Sequence, residues 1–236
     1  MSMVMFFLGK NVHAAGFDPM TGLPMPAQNL SLFSASNIIK LNVPSFKQEY
    51  ANSCEAASLR MVLAYYGITA SDFAVLEKIG YAPRFKDLAK NEWDDPQKQF
   101  VGYIDALGSN LGYGVYGQPV AAAAEKFGRT TEYRTFITPQ FLAKEISLGN
   151  PIIVWGSTSI TAEPYTWNLP AGGQARAFKG EHARVVVGVK GSILNPAGFY
   201  VHDPINGKSF EYWTTAKMVD QLYGVMGITN QAVVVR

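Results

Sequence analysis

The chain carries one cysteine, Cys54, and three histidines, His13, His182 and His202. A single thiol excludes an internal disulfide, and this donor set is too thin for a structural zinc site, so no metal and no cofactor is expected. Cys54 is then either a small buried hydrophobe or a nucleophile. Its placement bears on the choice. Asn52-Ser53-Cys54-Glu55 opens a segment in which Leu59, Val62, Leu63 and Tyr66 recur at helical spacing before Gly67 stops it. Asn52 is expected to cap this helix, with Glu55 closing a capping box. Cys54 would then lie in the first turn, where unpaired N–H groups and the helix dipole favour an anion and lower a thiol pKa. A buried cysteine at a helix end fits the same residues.

A thiol nucleophile needs a base, and the base needs an orienting group. His13 lies in the N-terminal arm. His182 opens an apolar strand running to Val189, and His202 lies in Phe199–Asp203. Strand alternation sends Val201 and Asp203 to one face and Tyr200 and His202 to the other, so His202 and Asp203 should not share a site. If residues 182–189 and 199–203 form a hairpin, His182 at the start of the first strand meets Asp203 at the end of the second. Asp203 then takes one ring nitrogen and leaves the other for Cys54. Taken separately, His182 also fits an exposed strand start, and Asp203 an Asp-Pro turn into Asn206-Gly207. Gln48, six residues before Cys54, is the candidate oxyanion donor together with the Cys54 backbone N–H. As a lone glutamine it also fits a solvated loop.

The elements that must position these residues are helices first and strands later, an α+β order. Residues 1–36 read as an N-terminal arm, and 37–236 as one domain. In the arm, Val12-His13-Ala14 fits the small-residue pattern of an export cleavage site, although a basic n-region is missing and the apolar run is short. Export would make the protein secreted or cell-surface; otherwise it is cytoplasmic. Helices are expected at 71–79, 97–107, 119–127, 138–148 and 214–222. Strands are expected at 38–43, 151–155, 182–189, 199–203, 209–213 and 232–235, and a loop at 156–180. At 48% hydrophobic and 16% charged, the composition is that of a folded globular chain. A net charge of +2 gives no electrostatic case for nucleic acid. No apolar run is long enough for a transmembrane segment. Oligomeric state is not readable.

Gln48, followed by Asn52-Ser53-Cys54-Glu55-Ala56-Ala57-Ser58-Leu59 on a helix ending Tyr65-Tyr66-Gly67, resembles the nucleophile segment of papain-like cysteine peptidases. It is most similar to stand-alone relatives of the bacterial peptidases that clip double-glycine leaders from bacteriocin precursors. Residues 149–155 resemble that family's central strand, His182-Ala183 with Val185–Gly188 its histidine strand, and Asp203-Pro204 before Gly207 its aspartate turn. The resemblance covers about residues 45–228. It implies a papain-like fold, with a helical half packed on a twisted antiparallel sheet. It also implies Cys54 as nucleophile, His182 as base, Asp203 as orienter and Gln48 as oxyanion donor, acting on a peptide or protein. The family's fused transporter has no counterpart here, so the leader substrate is not carried over. Arg184 stands where an apolar strand residue is expected, and residues 81–117 hold no recognised motif. Acyl transfer to an amine by the same triad, and non-catalytic binding at a cell surface on a peptidase fold, remain alternatives.

Two phosphate-loop readings are weaker. Cys54 and Arg60 have the spacing of a tyrosine-phosphatase loop, but that loop would place Glu55 against an anion. Gly207-Lys208-Ser209 lacks the leading glycine of a P-loop, which here is His202. Tyr65, Tyr66, Trp155, Trp167 and Trp213 fit core positions. Lys47, Arg60 and Arg184 fit a solvated surface.

Overall fold

A computed structural model describes residues 37–106, 108, 110–158, 163–223 and 230–236. The arm, with the Val12-His13-Ala14 pattern expected as an export cleavage site, falls outside them. The elements in chain order are β1 (Ile38–Lys40), α1 (Cys54–Tyr65), α2 (Asp72–Ile79), β2 (Val101–Gly102), β3 (Gly112–Gly114), α3 (Gly117–Lys126), β4 (Thr131–Thr135), α4 (Pro139–Ser147), β5 (Ile152–Ser157), β6 (Pro164–Asn168), β7 (Gln174–Phe178), β8 (Glu181–Gly191), β9 (Pro196–Asp203), β10 (Lys208–Thr214), α5 (Thr215–Tyr223) and β11 (Gln231–Val235).

Seven strands make one sheet in the order β10-β9-β8-β5-β11-β4, with β1 beside β8. Every pairing in it is antiparallel. The fold is therefore the α+β, papain-like arrangement that the sequence implies. The central strand β8 is buried almost throughout, as a strand covered on both faces must be. Alternation along β5 shows what covers each face. Trp155 donates its indole N–H to Val115, just ahead of α3, at 3.0 Å. The next residue, Gly156, faces α5 so closely that a Cβ there would lie 2.6 Å from Gln221 Oε1. Helices α1 and α3 thus cover one face, and α5, with α4 packed beside it, covers the other.

Local chemistry starts the helices where expected in two cases. Thr138 accepts the Phe141 N–H at 3.2 Å ahead of Pro139, and Ser71 accepts the Ala74 N–H at 3.1 Å, both as side-chain N-caps. Residues 97–106 do not form the helix expected over 97–107, whose last residue lies outside the described ones. Phe100, Val101 and Ile104 are buried, but their spacing serves a tight β2–β3 pairing. Gly102 takes φ 82° there, and a Cβ would meet Leu111 O at 2.5 Å. Within 156–180, β6 and β7 form a hairpin turning at Gly172 and Gly173, both at positive φ. That hairpin and the 81–117 segment share a small second core built on Trp93, Val101 and Trp167. β4, not expected from the sequence, pairs along β11 at the sheet edge.

Candidate active site

Cys54 is the first residue of α1 and is buried. The capping box does not form. Ser53 is the N-cap without a side-chain cap bond, and its hydroxyl instead donates to Asp72 Oδ2 at 2.7 Å. Asn52 uses its amide on the carbonyls of Tyr103 at 3.1 Å and Ala106 at 2.6 Å. The segment without a motif is thereby pinned as a wall beside α1. Glu55 turns inward, accepting the Val115 N–H at 2.6 Å and the Cys54 thiol at 3.2 Å.

Position in the first helical turn therefore does not decide the state of Cys54. Burial, then Glu55 and Glu181, push its thiol well above the ordinary range, while the Ala183 backbone N–H works the other way. This overturns the expectation of a lowered thiol pKa: a dry setting and two nearby carboxyls outweigh a half-charge from the helix dipole. The carboxyls are themselves perturbed. Burial raises Glu55 to about 7. Burial and Glu55 raise Glu181 well above the carboxylate range.

His182 and Asp203 meet across the β8–β9 hairpin. His182 Nε2 lies 2.7 Å from Asp203 Oδ1, and both residues are buried. Among the described residues, the hydrogen-bond partners of Cys54 are Glu55 and the Ala183 backbone. His182 is not one of them, because alternation along β8 turns it with Arg184 toward α5 while Ala183 faces α1. The residue that follows His182 is thus the one Cys54 touches. His202 is elsewhere. Its Nε2 pairs with Val43 O at 2.9 Å and its Nδ1 accepts the Phe210 N–H at 3.0 Å, so its ring serves as a structural cross-link.

Arg184 is not a solvated residue. It is 8% exposed, and its Nε donates to Asp203 Oδ2 at 2.7 Å. Its guanidinium also stacks over Trp213. Asp203 is held between His182, Arg184 and the Ile205 N–H, the last at 3.0 Å. Burial would raise its carboxyl, but its two side-chain partners, His182 and Arg184, pull it well below the usual range. Burial lowers the His182 pKa, with Arg184 adding to the effect against Asp203. A charged residue inside a run of valines was the available signal, since a buried charge needs a partner. Arg60 is buried likewise, bound to Glu49 and Asp72. That engagement removes it as a phosphatase arginine.

Gln48 lies on the loop that Arg60 anchors. Its backbone N–H reaches Pro204 O at 2.8 Å, joining this loop to the Asp203 turn. Its side-chain amide donates to the carbonyls of Tyr50 and Ala51, each at 2.8 Å. Both amide hydrogens are thus committed, and donation to an oxyanion requires the side chain to rotate. A cavity of about 290 Å³ opens beside the site, between Asn52, Gly112, Tyr113, Tyr165, Phe178 and Glu181. A larger one of about 360 Å³, near Tyr133 and Arg176, touches none of these candidates.

Comparison with known proteins agrees with this architecture. A C39-like peptidase from Bacillus anthracis superposes with a TM-score of 0.70 at 23% identity, over 85% of this chain and 98% of that one. The peptidase domain of Streptococcus ComA, a bi-functional ABC transporter, gives a TM-score of 0.46 at 16% identity, over 82% and 98%. The uncharacterized protein YvpB of Bacillus subtilis is 26% identical over 190 residues, which is 78% of this chain and 69% of YvpB. The sequence profile of the Peptidase C39 like family matches residues 40–230. A match over most of its length, on a papain-like α+β sheet, means that the chain belongs to the Peptidase C39 like family.

Proposed function

We propose that this peptidase-fold protein is a cysteine peptidase that cleaves peptide bonds through a thioester on Cys54. The observation that carries the reading is the buried His182–Asp203 pair at 2.7 Å, one residue from the Ala183 backbone against which Cys54 rests. In this reading His182 is the base for the thiol proton, but it faces α5 while Cys54 lies on the α1 side of β8, so substrate binding must bring the two together. Asp203 fixes the ring through Nε2, and Arg184 holds Asp203 in place. The Cys54 backbone N–H and a rotated Gln48 amide receive the oxyanion. The substrate is a peptide or protein entering beside Asn52 and Glu181.

The raised thiol and the lowered imidazole favour a neutral resting pair, so substrate must rearrange the thiol away from Glu55 before attack. The same observations favour a second reading, a non-catalytic binding module on this fold. Peptide vinyl sulfones from a sequence library, with mass-spectrometric readout at Cys54, separate the two. Labelling that depends on peptide sequence and on His182 supports the peptidase. Peptide binding with an unlabelled Cys54 supports the module. An added amine acceptor distinguishes hydrolysis from acyl transfer by its aminolysis product.

A further inference from the structure

Three acidic groups crowd together on the α1 side of the sheet. Ligand atoms of Cys54, Glu55 and Glu181 all lie within 4.8 Å of one another. Alternation along β8 separates them from the other half of the site, because Glu181 and Ala183 face α1 while His182 and Arg184 face α5. Both oxygens of Glu181 are buried and receive no N–H donor. Glu55 takes the Val115 N–H on Oε1 and is also supported by its own backbone N–H, and its Oε2 faces the thiol. The Arg184 charge acts on Glu181 but is engaged by Asp203 on the other face. Two buried carboxyls this close cannot both ionise without something positive between them, either a shared proton or a metal ion.

Gly114 lets the two carboxyls pack directly against its backbone. A Cβ there would lie 2.3 Å from Glu55 Oε1 and 2.9 Å from Glu181 Oε2. One thiolate and two carboxylates form a donor set suited to zinc or cadmium, which accept sulfur and oxygen together.

We propose that Cys54, Glu55 and Glu181 form a binding site for a thiophilic divalent cation, zinc in kind, that locks the nucleophile. Binding displaces two protons, one from the thiol and one from the carboxyl pair, and the thiolate becomes a ligand. The inhibitory consequence rests on the peptidase reading, since it is Cys54 that is withdrawn. The binding itself does not.

The test titrates the full chain, purified free of metal, with Cd²⁺, following sulfur-to-cadmium charge-transfer absorbance and calorimetric stoichiometry. One Cd²⁺ per chain with a charge-transfer band is expected. Cys54→Ser should abolish the band. Glu181→Gln keeps the side-chain shape and can donate to Glu55, so it should fold, and it should weaken binding at least about tenfold. His182→Ala should leave binding within about threefold, which separates this site from a thiol–imidazole site. Absence of the band in wild type overturns the proposal. So does a loss in His182→Ala with none in Glu181→Gln. No substrate is present, so metal binding without turnover counts against the peptidase alone, and turnover without metal binding counts against this site alone.

Discussion

Replacing Arg184 with methionine takes the guanidinium from Asp203 while keeping an unbranched apolar stem over Trp213. Both partners are buried and 2.7 Å apart, so the pair is far from the exposed case. Removing one partner of a buried ion pair costs about 3–5 kcal/mol, because the other charge is left uncompensated. Asp203 keeps His182 and the Ile205 N–H, which argues for the lower end, about 3 kcal/mol. At about 2–4 °C per kcal/mol for a domain of this size, melting should fall by roughly 6–12 °C.

The electrostatic signs follow. Arg184 is among the groups that lower the His182 pKa, so its loss should raise that pKa. The Asp203 carboxyl, now held low, should rise as well. A depressed carboxyl stabilises the fold above its unfolded pKa of about 3.9 and loses that contribution as pH falls through the folded value. The variant should therefore lose less stability between neutral and acid pH than wild type. Thermal melts across pH, with a proton NMR titration of the His182 imidazole, measure both effects. A drop smaller than about 3 °C, the size of an exposed pair, together with an unmoved His182 titration, would refute the coupling.

Cys54 should react with iodoacetamide with a midpoint above the ordinary thiol range, and Glu181→Gln should shift that midpoint down by removing one nearby anion; a wild-type midpoint below about 8 contradicts the site's electrostatics. His202→Ala should leave Val43 O and the Phe210 N–H without their partner. At about 1–3 kcal/mol for each orphaned group, the loss should appear in melting, and turnover per folded molecule should change little. If turnover collapses as in His182→Ala, the two histidines have been assigned the wrong way round. Gln48→Ala should cut turnover by roughly 10²–10³-fold with KM nearly unchanged if the amide serves the oxyanion, and a change within about threefold removes it from the mechanism.

What could be read before any coordinates was what local patterns encode. The helix behind Cys54, the Thr138-Pro139 start and the hairpin that sets His182 beside Asp203 each depend on spacing within a few residues or on strand alternation. The 97–107 helix failed because buried apolar spacing does not distinguish a helix from a tight pairing held by a positive-φ glycine. The β6–β7 hairpin lies within the stretch expected as a loop, although Gly172-Gly173 followed by the alternation of Ala175 and Ala177 is a hairpin signal. The state of Cys54 was beyond local reading. It depends on Glu181 and on Val115 holding Glu55, residues far away in the chain whose placement only the packed sheet decides.

The way β8 distributes its side chains limits how this family can vary by insertion and deletion. Glu181 faces one side, His182 and Arg184 the other, and the register against β5 runs unbroken from Glu181 to Val186. Adding or deleting one residue inside that stretch would turn each of these side chains through the sheet, setting a carboxylate toward Asp203 and imidazole toward Glu55. A bulge would be needed to absorb such an exchange, and β8 pairs with β5 without one over these residues. The Gly172-Gly173 turn of the neighbouring hairpin has open space around both glycines. Length changes in the lineage are therefore expected to collect in such turns and to spare the six residues of β8 paired with β5.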